Sequence, residues 1–205
     1  MIGFLFAMAL AIPAAPPAEV KPVEVKSPDA KAVELVLEDQ FGRRQDLAAN
    51  RGEVVVMVYG DRRGNDACKE YGERLHVLFH PTAAGQTPVK ARTAPVALLP
   101  GVPVGKRSPD AVIVPVAVAG SVPGVVKDLI RGQIKKASPE VPVWLDFAGT
   151  MEKDYGLKAG QVNVAVFDAA GRMRLKINGT PDKEASDRLL QVIQNLRAEA
   201  AGLVK

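Results

Sequence analysis

The chain has 205 residues, 47% hydrophobic and 24% charged, enough to bury one good core and most simply read as one domain. Its formal charge of +4 comes from cations scattered along the sequence without interleaved aromatics, a pattern that argues against nucleic-acid binding. A single cysteine excludes an intrachain disulfide, and with only 5% aromatic residues the core must be built from Val, Leu, Ile and Ala.

The first segment, residues 1–18, carries an apolar stretch at Ile2–Ile12 followed by small residues and prolines. It is too short to span a bilayer and fits the apolar region of a secretory signal, or else an uncleaved N-terminal anchor. The expected location is therefore periplasmic or secreted. Residues 19–31 are rich in Pro, Lys, Glu and Val and read as an extended linker, so residues 32–205 form the folded domain. Val33–Leu37 and Arg43–Leu47 read as two strands joined by Asp39-Gln40-Phe41-Gly42, with a helical turn over Leu47–Arg51.

Val54–Tyr59 is an unbroken apolar run of the length and β-branched content of a fully buried strand. The turn Gly60–Gly64 leads into a helix starting at Asn65 or Asp66, which places Cys68 in its first turn. Leu75, Leu78 and Phe79 mark the apolar side of this helix, and Pro81 ends it. Residues 82–109 are proline-rich and too long for a plain connection, so they are a functional flap or a disordered insertion, with Val96–Leu99 expected to dock.

Val112–Val118 is a second buried-type strand, in which Pro115 calls for a bulge or an edge position. Val125–Lys136 is an amphipathic helix, with Val125, Val126, Leu129, Ile130 and Ile134 expected inward and Lys127, Arg131 and Lys135 outward. Pro142–Asp146 is a strand, Gly149–Tyr155 a short helix, and Val162–Phe167 and Met173–Ile177 are two further strands. The last helix is expected to start with Thr180 as N-cap and Pro181 at its first position, turning Leu189, Ile193 and Leu196 inward. Asp146 and Asp168 fall at strand ends, where they read as turn-capping residues.

A strand that delivers a cysteine to a helix N-terminus favours the thiolate, because unpaired backbone N–H groups and the macrodipole stabilise negative charge there. Arg62, Arg63 and Lys69 are the cations placed to assist, with Asp61 and Asp66 opposing and Asn65 a thiolate neighbour or a simple cap. The alternative for Cys68 itself is an inert core thiol. On one helix His76 would stand about 12 Å and His80 about 18 Å along the axis from Cys68, too far for a shared ion. No metal site is expected, and no cofactor.

The order strand, Cys-helix, strand, helix, strand, helix, hairpin, helix resembles the thioredoxin-like fold, in the redoxin branch of peroxiredoxins and exported thioredoxin-like proteins. The stretches that carry the resemblance are Leu37–Gly42 with Asp46-Leu47, Arg51–Val56, Val141–Asp146, Tyr155-Gly156-Leu157, and Val164–Asp168 leading to Gly171. The resemblance implies an α/β domain with a central mixed sheet of about five strands, about four flanking helices and an N-terminal β-hairpin. It also implies that Cys68 lies near the peroxide-attacking cysteine of peroxiredoxins, one residue later relative to the strand.

The departures are specific. The peroxiredoxin threonine and proline positions hold Asn65 and Asp61, and the arginine position falls at Gln161 or Val162. The second thioredoxin cysteine is absent, and Val162 stands where thioredoxins have a cis-proline. Two readings stay open: a single-cysteine thiol reductant or peroxide sensor centred on Cys68, or a redox-inactive thioredoxin-like module that binds a protein. The expected partners are a thiol or disulfide protein or a peroxide, with no nucleic acid, and a membrane only through an uncleaved N-terminal segment.

Overall fold

The computed structural model describes residues 24–25 and 31–204. The expected signal segment, residues 1–18, and most of the linker over 19–31 lie outside the described residues. Among the described residues eight strands form one mixed sheet: β1 (Glu24–Val25), β2 (Val36–Asp39), β3 (Arg44–Asp46), β4 (Val54–Gly60), β5 (Ala111–Val118), β6 (Trp144–Asp146), β7 (Asn163–Phe167) and β8 (Met173–Asn178). Their spatial order is β1-β8-β7-β4-β5-β6-β2-β3. The helices are α1 (Asn65–Phe79), α2 (Pro88–Arg92), α3 (Gly124–Ala137), α4 (Thr150–Asp154) and α5 (Lys183–Ala200).

The sheet is larger than the five strands expected, for two reasons. The N-terminal hairpin β2–β3 is not separate, because β2 pairs antiparallel with β6 at Glu38↔Leu145 and Asp39↔Trp144. Within the stretch read as a linker, Glu24 and Val25 pair antiparallel with Lys176 and Leu175 on the far edge.

β4 lies at the centre, parallel to β5 and antiparallel to β7, and all of its residues are buried. This explains its unbroken apolar sequence, since a strand covered on both faces has no solvent side to alternate with. Val54, Val56 and Val58 pack against Tyr71, Leu75 and Phe79 of α1 and against Ala185, Leu189, Ile193 and Leu196 of α5. Val55, Met57 and Tyr59 face the other core, with Leu35, Leu47, Trp144, Met151 and Tyr155. Pro115 sits where β5 is paired by β4 but not yet by β6, whose pairing begins at Val116↔Trp144. That is a local edge, where a missing ladder donor is tolerated.

Three local expectations are corrected. Leu78 is 57% exposed, because the inward face of α1 runs through Tyr71, Leu75 and Phe79 at four-residue spacing. The cap of α5 is Asp182, which accepts from Ala185 N at 2.8 Å, while the Thr180 hydroxyl accepts from Val162 N. The helix α3 faces the sheet with a mixed stripe instead of its apolar one. Val125 and Leu129 are 84% and 61% exposed, whereas Arg131 bonds Glu38 at 2.6 Å. Lys127 and Arg131 lie over the Phe147 ring, and Lys135 lies over Phe41. Carboxylate and aromatic acceptors on β2 and beside β6 draw Lys127 and Arg131 to half-buried positions alongside Ile130 and Ile134, which do turn inward as expected, and leave Val125, Val126 and Leu129 outside.

Asp146 and Asp168 do cap turns, Asp146 accepting from Ala148, Thr150 and Met151 N and Asp168 from Ala170 and Arg172 N. Among the described residues no helix is long and apolar enough to cross a membrane.

Residues 82–109 follow a defined path across the base of the domain. Ala97 N donates to Phe79 O at 2.7 Å, and Leu99 is buried with its N–H on Ser108 Oγ. The imidazoles help to hold this segment. His76 Nε2 meets Ala91 O at 2.9 Å, and the His80 ring stacks on His76 at 4.2 Å while reaching Asp110 at 2.9 Å.

Burial holds His76 below its ordinary value of 6.5, and the neighbouring His80 acts in the same sense. As pH falls through that value the unfolded chain takes up a proton that the folded chain refuses, so stability falls with pH. Asp110 adds to the loss at lower pH. Burial raises its carboxyl, but the bond and charge of His80, the Ala111 N–H and the Arg107 charge together outweigh this and hold it below 3.8, so its contribution is lost as pH falls through the folded value. The urea midpoint is expected to drop between neutral pH and about 5, and His76→Gln should remove much of that dependence. A midpoint that does not move would contradict this assignment.

Candidate functional site

Gly60 ends β4 and Gly64 is the N-cap of α1, without a side-chain cap bond. Both glycines are required by close approach. A Cβ added at Gly60 would lie 2.6 Å from Cys68 Sγ, and one added at Gly64 would lie 2.8 Å from Gln161 O. The two positions let the sulfur and the 160–161 backbone close on the end of β4. Asp61 organises the turn, its Oδ1 accepting from Arg63 N, Gly64 N and Gly160 N at 3.0–3.1 Å. Asn65, offered as a cap from the sequence, is the first helical residue and is exposed, because Asp61 already serves the turn.

The loop opposite α1 is fixed from below by Asn163, which is fully buried. Its Nδ2 donates to the carbonyls of Tyr59, Lys158 and Gln161, and its Oδ1 accepts from Lys158 N and Gly179 N. The Tyr59 hydroxyl donates to Gly156 O at 2.8 Å nearby. Gln161 thereby presents its carbonyl to the cysteine, whose thiol donates to it at 3.9 Å. Among the described residues the peptide bonds are trans, including the one at Val162.

Cys68 is half-buried, and that burial, with a contribution from the Asp61 charge, pushes its thiol up to about 11 against a weaker opposing bond from the Asn163 backbone. Arg62, Arg63 and Lys69, named from the sequence as its thiolate environment, are exposed, and the side-chain charge that acts on the sulfur is that of Asp61. Asp61 is itself held ionised: burial raises its carboxyl, but the N–H groups of Gly160, Gly64 and Arg63 bring it below 3.8.

The site therefore brings together Cys68, Asp61, Gln161 and Asn163, of which sequence reasoning named the first as nucleophile and the second as an opponent of the thiolate. Asn163 had one visible signal, an amide inside the apolar run Val162–Phe167. Gln161 was reached only through the resemblance, as one of two positions for the peroxiredoxin arginine, and its part here had no signal because a backbone carbonyl plays it.

Asp61→Asn preserves the turn acceptor and removes the charge. Its Cys68 is expected to titrate below the parent value and to alkylate faster at neutral pH. Unchanged alkylation kinetics would show that burial alone sets the thiol.

No protein-family model matches the chain, and no curated protein matches it in sequence. Solved structures do match in shape. A secreted thiol-disulfide isomerase from Corynebacterium glutamicum aligns with a TM-score of 0.54 at 14% identity, covering 90% of this chain and 95% of its own. A DsbF homologue from Corynebacterium diphtheriae aligns with a TM-score of 0.50 at 12% identity, covering 87% and 96%. The chain has a thioredoxin-like fold, as the order of its elements implied.

Proposed function

We propose that this chain is a thioredoxin-like protein-binding module of the extracytoplasmic space, in which Cys68 stays a protonated thiol and does not turn over disulfides at neutral pH. The observation that carries this reading is the state of the sulfur, half-buried, directed at a carbonyl and raised to about 11. At pH 7 such a thiol is ionised in about one molecule in ten thousand, against about one in thirty for free cysteine. The higher basicity of its thiolate recovers about tenfold in intrinsic reactivity, leaving it about thirtyfold slower. With one cysteine in the chain, no second thiol is present to release a mixed disulfide. The exposed apolar side chains of the first half of α3, Val125, Val126 and Leu129, support a contact with a partner. The apolar Ile2–Ile12 stretch and the secreted isomerase neighbour support the location.

The second reading, a single-cysteine thiol reductant or peroxide sensor, is favoured by one observation, the position of Cys68 in the first turn of α1. Exposing the full chain to hydrogen peroxide and, separately, to oxidised glutathione at neutral pH decides between them, with Cys68 followed by mass spectrometry. The expected result is sulfenic acid and mixed disulfide forming more slowly than on free cysteine. Formation faster than on free cysteine would replace the first reading with the second.

A further inference from the structure

We propose that the surface formed by residues 82–109 and the C-terminal tail docks onto an anionic lipid bilayer. The inference is independent of what Cys68 does. Between Thr82 and Pro109 the chain has the cations Lys90, Arg92, Lys106 and Arg107 and not one Asp or Glu. Large aliphatic side chains are the exposed ones here: Leu98 is 82% exposed, and Val104 stands completely clear of the surface. The tail adds Leu203 and Val204, both exposed, and passes close to the segment, since a Cβ added at Gly101 would lie 3.6 Å from Leu203 Cδ1.

These side chains do not project because the segment is loosely held. Leu99, next to Leu98, is buried, its N–H is bonded to Ser108 Oγ, and the Arg197 guanidinium grips the carbonyls of Ala97 and Pro109. The anchor turns one leucine into the core and presents the other.

Two neighbouring carboxylates are engaged, Glu53 by Arg107 and Asp110 by His80, and against the exposed carboxylate of Glu140 at the edge the rim keeps a positive balance through exposed Lys90, Arg92 and Lys106. Arg92 also donates to the Glu140 carbonyl at the edge of this surface. Aliphatic side chains that stand free on a segment whose only charged residues are cations match a fluid anionic interface, which opens around each of them and attracts the charge. A folded protein partner would have to offer a separate pocket to each.

The test is co-sedimentation of the full chain with vesicles of phosphatidylcholine alone and of phosphatidylcholine with phosphatidylglycerol in equal parts. Salt-sensitive binding to the anionic vesicles is expected, weakened about tenfold or more by Lys90→Glu with Lys106→Glu and about tenfold by Leu98→Ser with Val104→Ser. Leu129→Ser on α3 should leave it unchanged. In a separate Leu98→Trp chain, brominated lipid should quench the new indole, whereas Trp144 is buried and shielded.

Anionic-vesicle binding that is indifferent to the patch variants, with Leu98→Trp unquenched, would assign it to the N-terminal apolar stretch and overturn the proposal. Absence of vesicle binding together with salt-sensitive binding of polyglutamate would assign the patch to an acidic protein and overturn it equally.

Discussion

An Arg197→Ala chain is expected to unfold about 3 kcal/mol more easily than the parent, among the largest losses a single substitution here should produce. Arg197 is 1% exposed, and its guanidinium serves three acceptors at once: Pro109 O at 2.8 Å, Ala97 O at 2.7 Å and Gln194 Oε1 at 3.0 Å. It also lies over the Phe79 ring. Alanine leaves two carbonyls without their charged donor and opens a cavity beneath the 82–109 segment. Lysine is expected to recover little, because a point charge cannot reproduce a planar fork. The measurement is urea unfolding together with limited trypsin digestion. Early cleavage after Lys90 or Arg92, while β4 and α5 stay protected, would show that the substitution releases the segment first. Unchanged stability and digestion would mean that the guanidinium does not anchor it.

Asn163→Ala is expected to produce a loss of similar size by a different route. One amide ties together the end of β4, the loop before β7 and the turn after β8. Removing it strands Lys158 N and Gly179 N without their acceptor and withdraws a donor from three carbonyls, which costs about 3 kcal/mol. Asp at this position would keep the acceptor, lose the donors and bury a charge, and should be worse. The consequence reaches Cys68, because the Gln161 carbonyl it faces is held by this amide. The variant should therefore unfold earlier in urea and alkylate faster at Cys68 while still folded. Loss of stability with unchanged alkylation would separate the amide from the thiol.

Much of the architecture was legible in the sequence because it rests on strong local signals. The continuous run Val54–Tyr59 identified the central strand, Pro81 closed α1, and the alternation of strands and helices pointed to a thioredoxin-like order. What escaped depended on partners distant in sequence. The orientation of α3 is set by Glu38, Phe41 and Phe147, and its own periodicity cannot register them. The cap of α5 moved to Asp182 because the Thr180 hydroxyl is taken by Val162 N. Sequence proximity likewise suggested that Arg62, Arg63 and Lys69 would surround the sulfur. The chain folds them to the outside and turns Cys68 toward a carbonyl instead. A thiol environment is made by tertiary packing, which neighbours in the sequence do not specify.

The rate of Cys68 alkylation by iodoacetamide in the folded full chain, measured across alkaline pH, tests the account most directly. A thiol held at about 11 predicts a rate that keeps climbing about tenfold per pH unit past the free-cysteine value, with no plateau before the fold itself gives way. A plateau reached at or below about 8.5 would mean that the helix N-terminus wins over burial, and Cys68 would then be a working thiolate.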